Sequence, residues 1–370
     1  MVFIEGKTDI TAREGGYNPQ VLENLDRYFL ELIKKERIQA AGYLMARHGK
    51  IFAHKTTGLL RYDQPDSRYR PDSLRKLASI TKMYAAVAVM QLVEDGVLYL
   101  EQPAADFIPD FDTPFHKGIT LLHLLTHSSG LRADGGYFLE PYPERRDLKN
   151  TNDLIRFALE GPLKSRPGTA WSYSTLGFAV IAEIVKRAGG MSFEEYVEKR
   201  ILTPLGMHDT HFTIPAEKLD RVCITGEPEQ RHLDLCQAEG NLFKGGTGLF
   251  STLYDQFIFA QMFLNKGTIH GVRILGRKTV EAMTRNRLEE STTAFCWGLK
   301  AKSMEYGAGV SISINGIMSP HVINHEGYGR SALFADTAED FVCMFSVPTA
   351  LHWAPEIIEN PRYIIWSGLE

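Results

Sequence analysis

The chain has 370 residues, 44% hydrophobic and 23% charged, which is the balance of an ordinary soluble globular protein with ample length for a buried core in one large domain or two lobes. The formal net charge of −4 is spread without long runs, so the basic surface that binds a phosphate backbone is excluded and nucleic acid is not an expected partner. No uninterrupted apolar run approaches the roughly 20 residues that span a bilayer. Residues 1–15 carry acidic side chains and no apolar segment of the signal-peptide kind, so a cytoplasmic location is the expectation. Cys223, Cys236, Cys296 and Cys343 are scattered without a C-x-x-C pair and read as reduced, mostly buried thiols.

In chain order, Asn18-Pro19 reads as a helix cap followed by a first helical residue. Val21, Leu22, Leu25, Phe29, Leu32 and Ile33 then recur at helical spacing. Residues 39–47 and 50–57 are strand-like runs around His48-Gly49, the pattern of a hairpin. Residues 79–95 form a predicted helix stopped by Gly96, and its stretch 85–90 is apolar all round, so this helix is expected inside the protein. Helical patterns follow at 174–188, at a capping box opened by Ser192 and closed by Glu195, at 253–265 and at 277–285. After about Cys296 the pattern changes to short strands at 296–300, 308–314, 331–335 and 341–347. Segments 133–149 and 214–237 have no readable pattern. Strands at both ends with helices between predict an α/β fold of the α+β type. Its mainly antiparallel sheet would be formed by the N- and C-terminal segments and flanked by helices. A sheet lobe at about 1–78 and 290–370 and an inserted helical lobe at about 79–289 would make one catalytic domain, with a cleft between them as the default site.

Ser79-Ile80-Thr81-Lys82 carries the first chemical signal. Residues three apart share a helix face, so Lys82 can reach the Ser79 hydroxyl. Serine is a poor nucleophile until a base takes its proton. A lysine serving as that base must fall by roughly 3 pKa units, worth about 4 kcal/mol, and burial beside residues 85–90 supplies a shift of that kind. The helix start also favours negative charge developing near Ser79. A lone pair at this spacing is as readily an exposed surface pair; two further blocks change the balance. In Pro167-Gly168-Thr169-Ala170-Trp171-Ser172-Tyr173-Ser174 a turn leads to Tyr173 at the mouth of the 174–188 helix, where a phenol beside an ammonium can relay protons. Packing with one hydrogen bond is the plainer role. His325-Glu326-Gly327-Tyr328 lies just before the 331–335 strand, and Gly327 lets backbone approach a ligand closely. The N–H groups of Tyr328 and Ser79 would then hold an oxyanion, a contribution of roughly 3–4 kcal/mol in acyl transfer. The alternative is a glycine-bearing turn with a surface histidine.

These blocks, in this order, resemble the serine β-lactamase and penicillin-binding-protein superfamily, and most closely its class C-like branch, which includes β-lactamases, D,D-peptidases, D-aminopeptidases, family VIII carboxylesterases and some acyltransferases. Residues 121–131, LLHLLTHSSGL, look like the branch's LLTHTSGL segment. Residues 245–252, GGTGLFST, look like its GGAGLxST loop, and 324–336, NHEGYGRSALFAD, like its GHxGxxGxxxxxD strand entry. The resemblance runs from about residue 20 to 348 and implies a β-lactamase/transpeptidase-like fold. It makes Ser79 the nucleophile and Lys82 the base or proton shuttle. It places Tyr173 on the tyrosine of Y-x-N, His325-Glu326-Gly327 on K-T-G, and Tyr328 on the second oxyanion N–H.

Two positions depart from the family. Thr175 replaces the asparagine of Y-x-N, keeping a hydroxyl but losing the amide's paired donor and acceptor. His325 replaces the lysine of K-T-G, and a neutral histidine is a poorer carboxylate anchor. Both argue against efficient β-lactamase or D,D-carboxypeptidase activity and fit the esterase-like members. The expectation is a serine hydrolase, carboxylesterase-like, acting through an acyl-enzyme on Ser79 upon a small ester, amide or lactam, with no metal or cofactor needed. An acyltransferase, a D-aminopeptidase or weak β-lactamase, and a non-catalytic binding protein on this fold are the alternatives; the oligomeric state is open. His123 and His127 have the i, i+4 spacing of a zinc helix, but Leu124 stands where H-E-x-x-H has its glutamate, and the family segment explains them better. Tyr137, Phe138 and Tyr142 suggest local packing or a wall of an acyl pocket, and Glu326 a solvated turn residue or a supporting acid.

Overall fold

The computed structural model describes residues 2–133, 148–238, 240–296, 299–301, 304–313, 316–328, 330–351 and 354–370. The aromatic stretch with Tyr137, Phe138 and Tyr142 lies outside the described residues. Among the described residues no helix is long and apolar enough to cross a membrane. All four cysteines are free, three of them buried and Cys296 exposed.

Seven strands form the large sheet: β1 (Ile4–Glu5), β2 (Ala40–Arg47), β3 (Lys50–Gly58), β4 (Ser311–Ser313), β5 (Val322–Gly327), β6 (Ser331–Asp336) and β7 (Phe341–Ser346). Their order is β1-β3-β2-β7-β6-β5-β4, every neighbouring pair antiparallel. The β2–β7 pairing, with Tyr43 opposite Phe345 and Leu44 opposite Met344, joins the two ends of the chain into one sheet, as predicted. His48 and Gly49 both take positive φ, 53° and 70°, the two-residue turn whose twist suits a hairpin.

Period-two alternation sends successive side chains to opposite faces. Tyr43, Met45, Phe334 and Phe345 pack with helices α1 (Pro19–Lys34) and α5 (Pro355–Trp366). Leu44, Ala46, Leu333 and Met344 pack on the other face, in the cluster that holds α2 (Thr81–Glu94), α3 (Thr175–Gly189) and α4 (Leu253–Leu264). Helix α1 opens as the sequence predicts, with the Asn18 side chain accepting from Gln20 N at 3.0 Å. Ser192 and Glu195 complete their capping box. Helix α2 buries every residue from Thr81 to Leu92, which explains why its sequence has no polar face.

The expectations hold in part. The His325 block does precede the predicted strand, now β6, but Asn324–Gly327 also end a strand that was not expected, β5, paired with β6 from Ile323↔Ala335 to Gly327↔Ser331. The 296–300 run is not part of the large sheet: Thr293–Cys296 and Leu299–Lys300 make a hairpin that pairs in parallel with Ala170–Ser172. The 308–314 run shortens to β4. The patternless 214–237 segment contains the helix Glu227–Gln237. Helix α5 was not predicted at all.

Candidate active site

Ser79 sits in the single 3₁₀ turn Ala78–Ile80 that runs into α2. Ala78, immediately before it, takes φ 46°, a left-handed conformation uncommon outside glycine and asparagine. Strain of this kind costs of order 1–3 kcal/mol and gathers at functional sites, where surrounding structure enforces it. Gly327 ends β5 against this turn. A Cβ at that position would lie 2.1 Å from the Leu77 carbonyl oxygen, so only glycine lets the two backbones meet. Gly327 thus brings the end of β5 against Leu77 and Ala78, next to Ser79, and the following Tyr328 is 68% exposed, with the guanidinium of Arg330 5.0 Å from its ring centroid and Lys76 Nζ at 6.0 Å.

Lys82 is 0% exposed. Its Nζ lies 3.1 Å from each of three oxygens: Ser79 Oγ, Thr175 Oγ1 and the Gly246 carbonyl. Three acceptors match the three donors of an ammonium. They equally match a neutral amine that donates to Gly246 and Thr175 and accepts the Ser79 hydroxyl hydrogen, because hydroxyls serve either role. Thr175 begins α3, which is capped by Ser174 Oγ accepting from Gly177 N at 3.1 Å and donating to the Arg132 carbonyl at 2.6 Å. Tyr173 precedes that cap, and its ring centroid lies 4.7 Å from Lys82 Nζ.

Gly246 belongs to the one-turn helix Lys244–Thr247. A Cβ there would fall 2.7 Å from Thr175 Cγ2 and 3.6 Å from Lys82 Nζ. The close glycines of this loop therefore admit a carbonyl to the buried amine. In the sequence the loop is legible as a family segment but not in that role; the paired glycines are the signal that could have shown it.

A second group of polar side chains lies behind Tyr173. The His127 ring packs 4.4 Å from the Tyr173 ring, and its Nδ1 accepts from Ser174 N at 3.0 Å. His127 Nε2 is 3.2 Å from Tyr306 Oη, which is 3.4 Å from His325 Nε2. His325 Nδ1 is 2.9 Å from the Glu326 carbonyl. Burial, then the nearby Lys82, lowers both imidazoles, His325 to about 3 and His127 well below its usual range; burial raises the Tyr306 phenol. His123 does not join His127 as a zinc helix would require: its Nδ1 accepts from Thr120 N at 3.1 Å and closes a helix cap. Glu326 is neither a solvated turn residue nor beside Ser79. Alternation along β5 sends it the other way, to Arg362 at 3.1 Å, and burial raises its carboxyl.

The strand-like pair Arg75–Lys76 leads into the Ser79 turn and is held by Glu229, another residue the sequence did not single out. Arg75 grips its carboxylate through two bonds, 2.6 and 2.8 Å, and Lys76 Nζ lies 3.3 Å away. Burial alone would raise Glu229, but Arg75 and Lys76 outweigh it and hold the carboxyl far below the usual range.

Residues 25–362 match the sequence profile of the family described as Beta-lactamase. The chain belongs to the beta-lactamase family. The two residues of its S-x-x-K segment, Ser79 and Lys82, have their side chains in contact. Among curated relatives of this beta-lactamase family member, esterase EstB of Burkholderia gladioli is 35% identical over 222 residues, 56% of this chain and 52% of EstB. Penicillin-binding protein 4* of Bacillus subtilis (strain 168) is 26% identical over 247 residues, 61% of this chain and 53% of that protein. The chain thus spans about half the length of these relatives. The solved structure of EstCE1, described as a hydrolase with promiscuous acyltransferase activity, superposes with a TM-score of 0.78 at 17% identity, covering 94% of this chain and 98% of that one. At that identity the likeness shows the beta-lactamase fold.

Proposed function

We propose that this protein hydrolyses small carboxylic esters through a covalent acyl-enzyme on Ser79. The observation that carries the reading is the buried Lys82 amine 3.1 Å from Ser79 Oγ, with its other hydrogen bonds satisfied by Thr175 and Gly246. In the neutral form Lys82 takes the Ser79 proton as Oγ bonds to the acyl carbon. The carbonyl oxygen becomes an oxyanion between the N–H groups of Ser79 and Tyr328. Collapse expels the alcohol, which takes a proton delivered through Lys82 and Tyr173. Water then repeats the sequence on the acyl-enzyme and frees the acid.

Esters are favoured over lactams and D-alanyl peptides because the two departures remove what those substrates use. Thr175 serves Lys82 and has no amide to offer a substrate, and His325 is a buried neutral ring where a cation would stand. The likeness to EstB supports the same choice. Transfer of the acyl group to an alcohol or amine is the second reading, favoured by the fold shared with EstCE1, and acceptors outcompeting water would reveal it. A purely binding role is disfavoured by the Ser79–Lys82–Thr175 contacts. The test is hydrolysis of p-nitrophenyl acetate together with fluorophosphonate labelling mapped to Ser79. Both are expected in the native chain and absent from Ser79→Ala; a folded native sample that shows neither sinks the proposal.

A further inference from the structure

The His127–Tyr306–His325 group has a direction. At one end the Ser174 N–H can only donate, so His127 Nδ1 must accept. A neutral His127 then carries its hydrogen on Nε2 and gives it to Tyr306 Oη. At the other end the Glu326 carbonyl can only accept, so His325 Nδ1 must carry hydrogen and donate. A neutral His325 then presents Nε2 as an acceptor for the Tyr306 hydroxyl. The two ends, argued separately, meet at Tyr306 with one donor arriving and one acceptor waiting, which is what a phenol satisfies. Reversing either ring sets like groups against each other in a site where all three side chains are buried and a mismatch is costly.

His325 also lies on the working side of β5. Residues two apart on a strand face the same way, and Gly327 is the residue that meets the Ser79 turn. The ring centroids of His325 and Tyr173 are 6.2 Å apart.

We propose that Tyr306 and His127 are positioning residues that lock His325 as the neutral Nδ1–H tautomer, with both ring nitrogens bonded into the protein. This position beside the nucleophile then offers a bound molecule neither charge nor hydrogen bond. Resting on the esterase reading above, the site selects esters whose leaving group is uncharged and apolar where it lies against His325. The lock, not the presence of histidine alone, sets that preference: without the Tyr306 hydroxyl, Nε2 is released, and although burial and Lys82 still hold the empty site's imidazole down, a carboxylate brought against Nε2 offsets both, favours the protonated ring and pairs with it.

The lock is read without substrate by two-bond ¹⁵N–¹H correlation spectra of the imidazoles, with His325→Gln and His127→Gln used for assignment. The unaltered protein is expected to show His325 protonated on Nδ1 and His127 on Nε2, both neutral at pH 7. His325 protonated on Nε2, or charged at pH 7, overturns the proposal whether or not any variant folds. The selectivity is read from kcat/KM for phenyl acetate against 3-acetoxybenzoate, which differ by one carboxylate. In Tyr306→Phe at pH 5.5 the ratio is expected to move about tenfold toward the carboxylate ester, the worth of one hydrogen bond to a charged group. An unchanged ratio in folded Tyr306→Phe overturns it. Failure of the native chain to turn over either ester, with no label on Ser79, would instead refute the hydrolase reading, because the tautomers are measured independently.

Discussion

Ser79, Thr175 and Gly246 reach Lys82 from three parts of the chain, and each is constrained differently. Ser79 must remain free to give up its proton, and Thr175 can donate or accept, but the Gly246 carbonyl can only accept. Of these three it is the contact that holds the amine's direction in either protonation state. Gly246→Ala would press a methyl to 2.7 Å from Thr175 Cγ2, and moving Thr175 or the Gly246 backbone to relieve it shifts the partners of Nζ. Displacing the amine by a fraction of an ångström to 1 Å lowers rates by up to about 10²-fold. The expected result for Gly246→Ala is a kcat loss of ten- to a hundredfold, roughly, with KM little changed. Steady-state kinetics beside a thermal melt would check it; a kcat within twofold of the native value would show that the carbonyl does not orient Lys82.

At the scale of elements, what the sequence revealed and what it hid follow from one cause. Helices α1, α2, α3 and α4 were legible because each keeps an unbroken apolar pattern with a recognisable cap or stop. Strand β5 was not, because its last four residues, Asn324-His325-Glu326-Gly327, read as turn chemistry. They are polar because they serve a site and a neighbouring helix, and local rules fail most often where function overrides them. Helix α5 was hidden by Pro361 inside it; buried Ile357, Ile358, Ile365 and Trp366 hold it in place despite the missing N–H. The Ser79, Lys82, Tyr173 and Thr175 cluster was legible through spacing and resemblance together, whereas Gly246, His127, Tyr306 and Glu229 required the fold. Glu229 shows what such distant partners do. It lies on the Glu227–Gln237 helix and anchors the pair Arg75–Lys76, which leads to the nucleophile turn. Glu229→Gln leaves the Arg75 guanidinium buried beside a neutral amide, and losing one partner of a buried pair costs about 3–5 kcal/mol. Urea unfolding is expected to give an unfolding free energy lower by that amount, and an unchanged midpoint and slope would show the pair to be dispensable.

Across the whole molecule, the buried histidines couple folding to pH in a definite direction. His54 is held down to about 4 and His325 to about 3, and His127 well below its usual range, in each case chiefly by burial. An unfolded histidine titrates near 6.5. Above that pH neither state binds the proton and these groups leave stability untouched. As pH falls below about 6.5 the unfolded chain takes up protons that the native chain refuses, so stability declines toward the folded values near 3 and 4. Each such group contributes a slope of about 1.4 kcal/mol per pH unit once the unfolded form is fully protonated. Asp255 acts in the opposite sense. Burial raises its carboxyl to about 6 even though Thr210 donates to it at 2.8 Å. Between about 6 and the unfolded value near 3.9 the native state is the one that gains this proton, which restores one group's worth of the loss. His54, His127, His325 and His211, the last also held down to about 4 by burial, oppose the raised carboxyls of Asp255 and Glu326, and about two groups' worth of slope, roughly 2–3 kcal/mol per pH unit, remains near pH 5. Urea unfolding at pH 7.0, 6.0 and 5.0 is expected to show a loss of about 1–2 kcal/mol over the first step and a larger one, roughly 2–3 kcal/mol, over the second. A midpoint that stays level down to pH 5 would mean that His54, His127 and His325 are not held neutral together, and the directed chain through Tyr306 would lose its energetic basis.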